Sequence, residues 1–175
     1  FLLFFSFSFL LDFGDLYFEA AQYIFGDFSQ SIEKSKKILS MIGKALPVTL
    51  DEMRICAELE NGMVIDEKER IALETANRIT KINRVYISPS NCRVAPGVLD
   101  AIKAADAIII GPGNLYTNVI PNLLIKNVAK TIKESKAIKI YISNIMTEPG
   151  LTDDYDLSEH LQAIEEHAGK DMIDY

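Results

Sequence analysis

The chain has 175 residues, of which 49% are hydrophobic, and this is enough for one domain with a real hydrophobic core. Its formal net charge of −7 argues against a protein that binds nucleic acids, since such proteins usually carry basic stripes that neutralise phosphates. We therefore expect a single globular domain over 1–175 with no nucleic-acid partner.

The stretch 1–11 is an almost unbroken run of Phe, Leu and Ser and is atypical of the rest of the chain. It lacks the basic region and the small-residue cleavage site of a secretory signal, and it is shorter than the roughly 20 apolar residues that span a bilayer. We therefore predict no membrane span. The stretch is interpreted as a core or interface element of a truncated domain.

Two helices are predicted next, over 16–24 and 28–42. Asp27 precedes the second helix and is a favourable N-cap residue, while Gly43 is expected to end it. Farther along, 52–65 predicts a β-hairpin, because two apolar runs flank the two-residue turn signal Asn-Gly. A strand over 84–88 and a short helix over 97–105 follow.

Residues 107–143 predict a βαβ unit. The β-branched run 107–110 is typical of a buried parallel strand, and the apolar positions over 119–135 have helical spacing. A second strand is predicted over 137–143. In sheets of this kind the crossover is almost always right-handed, and ligands lie outside the carboxyl ends of the strands.

A Gly-Pro-Gly turn follows the first of these strands directly. Gly111 and Gly113 supply backbone freedom and close approach, and Pro112 fixes φ between them. Free N–H groups at the start of the next helix, together with its dipole, would favour a phosphate here. The alternative is that the turn only connects a strand to a helix, because one glycine-rich loop is a weak signal.

The loop after the second strand is expected at the same rim, so two loops are predicted to converge there. Backbone amides of 113–115 are expected to dominate phosphate recognition, with Asn and Thr side chains orienting ligand oxygens. The candidate nucleotide-binding residues are Gly111, Pro112, Gly113, Asn114, Leu115, Thr117, Asn144 and Thr147.

The remaining reactive side chains point to no metal or catalytic centre. Cys56 and Cys92 are isolated, and reduced thiols without a signal peptide favour the cytoplasm. His160 and His167 would lie about 10.5 Å apart on one helix, unlike the adjacent-turn spacing of a zinc helix. Asp residues at 153–156 suit a solvated loop better than a cation site. We identify no catalytic residue.

The last helix has clear end signals. Asp156 and Glu159 have the spacing of a capping box, and Gly169 is expected to close the helix.

Several of these segments resemble the gluconeogenesis-factor branch of the CofD-like, or phospholactate transferase, superfamily. The matching motifs are Gly-Pro-Gly-Asn-Leu-Tyr-Thr-Asn at 111–118, Ile-Pro-Asn-Leu-Leu at 120–124, Tyr-Ile-Ser-Asn-Ile-Met-Thr-Glu-Pro-Gly at 141–150, and His160 together with His-Ala-Gly at 167–169. The resemblance is dense over 26–169. Upstream, 12–18 is similar to the family's Asp-Phe-Gly-Asn-Leu-Phe segment, with Asp15 in place of Asn and Leu11 where a His is expected.

The resemblance implies a Rossmann-like, three-layer α/β domain with a mostly parallel sheet that binds nucleotides or nucleotide sugars. Family members begin with a strand leading into a Gly-Gly-Thr-Gly loop and carry an Asp-Asp-Gly-Gly-Ser segment, and the printed sequence contains neither. We therefore expect the C-terminal portion of a CofD-like domain, with the N-terminal nucleotide-binding half missing and one wall of the pocket present.

Two classes of function follow from the resemblance. The first is a regulatory protein that binds a nucleotide sugar such as UDP-N-acetylglucosamine and affects carbon metabolism, cell-envelope synthesis and cell shape. The second is a transferase that moves a phospholactyl group from a nucleotide-activated donor to a deazaflavin, and this alternative alone would involve Mg²⁺. The motifs at 113–117 and 144–147 resemble the regulatory branch more closely, so the first is preferred and no enzyme is expected.

A third alternative is a structural remnant without a ligand. Formation of a homo-oligomer is left open by the sequence.

Overall fold

A computed structural model describes residues 2–3, 13–38, 40, 42–66, 70–71, 75 and 80–175. The strands are β1 (Leu2–Leu3), β2 (Lys44–Ala45), β3 (Arg54–Leu59), β4 (Val64–Ile65), β5 (Ile82–Ser88), β6 (Ala107–Ile110) and β7 (Ile138–Tyr141). The helices with both ends described are α1 (Phe13–Phe25), α2 (Phe28–Ile38), α3 (Val98–Lys103), α4 (Ile120–Leu124), α5 (Val128–Glu134) and α6 (Leu157–Ala168). Apart from 2–3, the stretch 1–11 lies outside the described residues.

The predicted parallel strands are confirmed. β6 pairs with β7 in parallel, from Ala107 opposite Ile138 to Ile110 opposite Tyr141. On its other side β7 contacts the last residues of the chain, where the Tyr141 N–H donates to the Tyr175 carbonyl at 2.8 Å. Both strands therefore end at the same rim, which is where ligands bind in parallel α/β sheets.

The other strands form two further sheets. β1 pairs with β2 in parallel, and β4, β3 and β5 form an antiparallel sheet in that order. The predicted hairpin and the strand near 84–88 are thus confirmed, as is the α/β class. The βαβ pattern predicted only the parallel pairing, and the structure contains a three-stranded antiparallel sheet as well.

The hairpin loop differs from the two-residue turn that we predicted. The Leu59 N–H donates to the Met63 carbonyl at 2.9 Å, and the Gly62 N–H donates to the Leu59 carbonyl at 2.8 Å. Residues 60–62 therefore form a three-residue loop. Its last position needs a left-handed backbone, and Gly62 supplies it with φ +81°.

The crossover is not the continuous helix predicted over 119–135. A π-helical turn (Leu115–Val119) leads into α4, which ends where Ile125 becomes extended, and α5 begins after Asn127 at φ +67°. Asn tolerates this left-handed conformation better than most residues. Ile120 in α4 and Ile132 in α5 are both fully buried in the same hydrophobic core, so the apolar spacing continues across the break.

Helix-end signals were accurate in three of four cases, one of them Gly169, which follows α6 and donates its N–H to the Glu165 carbonyl at 2.9 Å. Asp27 accepts a hydrogen bond from the Gln30 N–H at 2.7 Å, as predicted for an N-cap. In α6, the carboxylate of Asp156 accepts from the Glu159 N–H at 3.0 Å and the Glu159 carboxylate accepts from the Asp156 N–H at 2.8 Å. The predicted end of α2 is wrong, however, because the helix stops at Ile38 and 44–45 pairs as β2.

The hydrophobic core connects the antiparallel sheet to the crossover. α4 packs against β5, α5 and α6, so the first helix of the crossover contacts the antiparallel sheet directly. Leu115, Val128 and Ile164 are fully buried there. No helix within the described ranges is long and apolar enough to cross a bilayer.

Candidate functional site

The two predicted loops meet at the carboxyl rim of β6 and β7. The Gly113 N–H donates to Oδ1 of Asn144 at 3.1 Å, which joins the loop after β6 to the loop after β7. Gly111 has φ +85°, and a Cβ at that position would collide with the carbonyl oxygen of Ile142. The peptide bond between Gly111 and Pro112 is cis. Glycine is therefore required at 111 by both its backbone conformation and its close approach to a neighbouring strand.

Asn144 uses both ends of its carboxamide within the chain. Its Oδ1 accepts from Gly113, and its Nδ2 donates to Oε1 of Glu148 at 2.9 Å. Sequence reasoning identified Asn144 but missed Glu148. The available signal was an acidic residue four positions after Asn144, in the turn that contains Pro149 and Gly150.

Glu148 is half-buried, and its second carboxylate oxygen, Oε2, is buried without a hydrogen-bond partner among the described residues. Burial raises the pKa of this carboxyl above its ordinary value, although the hydrogen bond from Asn144 opposes the shift. The backbone of Glu148 is held firmly, because its N–H donates to Oγ1 of the buried Thr152 at 2.9 Å. Glu148 is thus a fixed acceptor behind Asn144.

A cavity of about 1000 Å³ opens beside the Gly-Pro-Gly loop. Gly111, Pro112 and Gly113 line its rim, and apolar side chains of α3, β6 and α5 line its interior. Asn118 and Asn122 add polar groups that the sequence analysis missed. Their four-residue spacing, which places two side chains on one helical face, was the signal that could have found them.

A shallower depression of about 440 Å³ lies on the other side of Pro112. Three predicted site residues line it, namely Pro112, Asn144 and Thr147, and Glu148 lines it as well. Ile145 and Met146 are also part of this depression and are largely exposed. Pro112 therefore separates two adjoining concave surfaces.

The other three predicted residues line neither surface. Leu115 is fully buried, and Thr117 is buried as well. Asn114 is half-buried, and its carbonyl accepts from the N–H groups of Asn118 and Val119 at 2.8 and 3.0 Å. Because a short π-helical turn and the five-residue α4 follow the loop, the aligned helix dipole is smaller than the predicted long helix would supply.

A buried aromatic cluster supports the rim from below. Tyr141 at the end of β7 shares a 2.9 Å hydrogen bond with Nδ1 of His160, and Tyr116 shares one of 2.9 Å with Tyr155. Burial raises the pKa of Tyr141 to about 12, raises the pKa of Tyr116 further, and lowers the pKa of His160. Each of these three shifts favours the uncharged form of its side chain.

His160 and His167 have separate structural partners. The Val85 N–H donates to Nε2 of His167 at 2.9 Å, so Nδ1 carries the proton and donates to the Ala163 carbonyl at 2.7 Å. His167 thereby attaches α6 to β5, whereas His160 attaches α6 to β7. Both histidines act in the packing of α6.

This molecule has a Rossmann-like α/β fold. The features that define it are the parallel strands, the interrupted helical crossover and the two loops that meet at the rim. A sequence profile described as 2-phospho-L-lactate transferase CofD matches residues 11–175. The chain therefore belongs to the CofD family.

Relatives within the family carry a more specific name. The chain is 40% identical over 161 residues to the gluconeogenesis factor of Halalkalibacterium halodurans, covering 92% of this chain and 49% of that protein. It is 37% identical over 161 residues to the gluconeogenesis factor of Bacillus subtilis, covering 92% of this chain and 50% of that protein.

A crystal structure from the same group of proteins has the same fold. The structure of a UPF0052 family member from Bacillus halodurans superposes with a TM-score of 0.82 at 39% identity, and the match covers 92% of this chain and 51% of that chain. The present chain thus spans about half the length of these relatives.

Proposed function

We propose that this chain forms one wall of a nucleotide-sugar site and belongs to a regulatory protein of the gluconeogenesis-factor type, with UDP-N-acetylglucosamine as the ligand. The observation that carries the proposal is the contact between Gly113 and Asn144, which brings the two rim loops together beside a large cavity. Similarity to proteins named gluconeogenesis factor supports the regulatory assignment.

The size and polarity of the cavity suit a ligand with polar and apolar parts. Its volume of about 1000 Å³ is at the upper end of the range for small-molecule sites. Asn118 and Asn122 line the cavity, and Nδ2 of Asn122, which donates one hydrogen to the Asn118 carbonyl at 2.6 Å, has a second hydrogen for a sugar or phosphate oxygen. The net charge of −7 does not oppose binding, because backbone amides supply local positive potential.

The candidate residues fall into two proposed roles. Gly111, Pro112 and Gly113 shape the loop and allow close approach of a phosphate, while Thr147 faces the adjoining depression. Asn114, Leu115 and Thr117 would contribute through backbone groups, since the side chains of Leu115 and Thr117 are buried.

A phospholactyl transferase is the second candidate function, and membership of the CofD family, which is described as 2-phospho-L-lactate transferase, favours it. The transferase would need a nucleotide-activated donor, a deazaflavin acceptor and Mg²⁺. Binding alone and transfer differ in one measurable outcome, which is the appearance of a phospholactyl-deazaflavin product.

The experiment incubates the 175-residue chain with UDP-N-acetylglucosamine, or with deazaflavin, guanylyl-phospholactate and Mg²⁺. Melting temperature reports binding, and mass spectrometry reports product. We expect stabilisation by UDP-N-acetylglucosamine, with no stabilisation by N-acetylglucosamine alone and no turnover. Product formation at enzymatic rates would contradict the regulatory assignment, and an unchanged melting temperature at millimolar nucleotide sugar would contradict ligand binding by this chain.

A further inference from the structure

Three groups at the rim form a continuous chain of hydrogen bonds. The Gly113 N–H donates to Oδ1 of Asn144 at 3.1 Å, and Nδ2 of Asn144 donates to Oε1 of Glu148 at 2.9 Å. Gly113 lies in the loop after β6, whereas the other two residues lie in the loop after β7. The chain therefore connects the two loops that form the proposed site.

Only one orientation of the Asn144 carboxamide satisfies both neighbours. A backbone N–H can only donate, and an ionised carboxylate can only accept. If the carboxamide were rotated by half a turn, two donors would face each other at Gly113 and two acceptors at Glu148. The Glu148 carboxylate and the Gly113 N–H thus favour the same orientation of Asn144.

Glu148 is itself fixed by the turn that follows it. Its N–H donates to Oγ1 of Thr152 at 2.9 Å, and its carbonyl accepts from the N–H groups of Leu151 and Thr152 at 3.0 and 2.9 Å. Thr152 is 1% exposed, so this anchor lies in the protein interior. The carboxylate is consequently held at a defined distance from Asn144.

We propose that Glu148 is a positioning residue for the rim site, which acts through Asn144 to hold the Gly113 peptide and thereby the course of the 111–114 loop. This inference rests on the proposed function and adds to it a residue that the sequence analysis did not identify. Asn144 then holds the glycine loop through Oδ1 while Glu148 holds Nδ2, and a nucleotide sugar meets a preformed loop.

Amide hydrogen exchange in the unliganded chain tests whether Glu148 positions Asn144 and the Gly113 peptide. Glu148→Gln keeps a carbonyl acceptor for Nδ2 of Asn144, whereas Glu148→Met keeps a similar length and removes it. We expect the Gly113 amide to exchange about tenfold faster in Glu148→Met and at nearly the original rate in Glu148→Gln, since a lost hydrogen bond changes local opening by about this factor.

Two results would overturn the proposal. One is an unchanged Gly113 exchange rate in Glu148→Met, and the other is equal acceleration in both variants, which would indicate a general effect of losing the carboxylate. If Glu148→Met does not fold, Glu148→Ala serves instead, because it also removes the acceptor for Nδ2 of Asn144. The same acceleration is then expected.

A binding measurement distinguishes an error in the positioning role of Glu148 from an error in the proposed function. Titration calorimetry with UDP-N-acetylglucosamine is expected to give affinities in the order original chain, Glu148→Gln and then Glu148→Met, with about tenfold between the two variants. If the original chain does not bind UDP-N-acetylglucosamine, the proposed function is wrong. The hydrogen-exchange experiment still tests the positioning role of Glu148. Equal binding by all three proteins would contradict a positioning role.

Discussion

Gly111 lies so close to the carbonyl oxygen of Ile142 that no side chain fits between them. Gly111 directly follows β6, and Ile142 directly follows β7. The Ile142 N–H donates to the Ile110 carbonyl at 2.9 Å, which extends the pairing of the two strands by one hydrogen bond. The rim geometry of the proposed site therefore depends on a missing Cβ at one position.

This contact predicts that Gly111→Ala is more damaging than a matched glycine substitution elsewhere. Gly62 has a similar φ of +81°, but among the described residues no atom other than those of its chain neighbours lies within 4 Å of an added Cβ, so Gly62→Ala isolates the cost of backbone strain. We expect chemical denaturation to show a loss of about 1 kcal/mol in unfolding free energy for Gly62→Ala and about 3 kcal/mol for Gly111→Ala. Equal losses would show that the Ile142 contact is unimportant.

Burial of His160 predicts a loss of stability at mildly acidic pH. Its pKa in the folded protein is below the ordinary value of 6.5, so the unfolded chain binds more protons between the two pKa values. The contribution is fully present above about pH 6.5 and decreases as the pH falls below it. Denaturation curves of the original chain and His160→Gln should show a stability difference that shrinks on acidification, and a constant difference would contradict the assignment.

Burial of Glu148 predicts the opposite dependence of unfolding free energy on pH. Its pKa in the folded protein is above the ordinary value of 4.5, so the folded chain binds more protons in this window and unfolding free energy decreases as the pH rises through it. Glu148→Gln has no such titration. Relative to the original chain, this variant should therefore gain stability as the pH is raised from about 4.5 towards neutrality. A difference that declines with rising pH would show that burial does not dominate at Glu148.

The core of the crossover predicts a contrast between two isoleucines. Ile132 in α5 is fully buried, whereas Ile145 in the rim loop is fully exposed. Ile132→Ala should lower the unfolding free energy by about 2–5 kcal/mol because it leaves a cavity, and Ile145→Ala should change it by no more than about 0.5 kcal/mol. A large loss for Ile145→Ala, measured by the same denaturation assay, would show that this side chain packs against another surface.

Much of the fold could be predicted because its signals are local. The capping residues Asp27 and Asp156 act within one helical turn, and β-branched runs mark β6 and β7 regardless of the remaining structure. The break between α4 and α5 could not be predicted in this way. Apolar spacing continues across Asn127, and only packing of both helices on the same core selects the interrupted form.

The site was partly predictable for a related reason. The topology of a βαβ unit places the Gly113 and Asn144 loops at one rim, so their convergence followed from the strand assignment. The role of Glu148 depends on a tertiary contact that no local pattern encodes. Burial of Thr117 was likewise missed, because a π-helical turn directs the residues after the loop differently from the helix start that we expected.

The central claim is that a nucleotide sugar binds at the rim that the two contacting loops form, beside the cavity lined by 111–113. The most direct measurement is a titration of the isotopically labelled chain with UDP-N-acetylglucosamine, followed through its backbone amide resonances. The account predicts saturable shifts concentrated at 111–115 and 144–148, with the β3–β4 hairpin loop at 60–62 unchanged. Absence of shifts, or shifts that are largest at the hairpin loop, would contradict the claim.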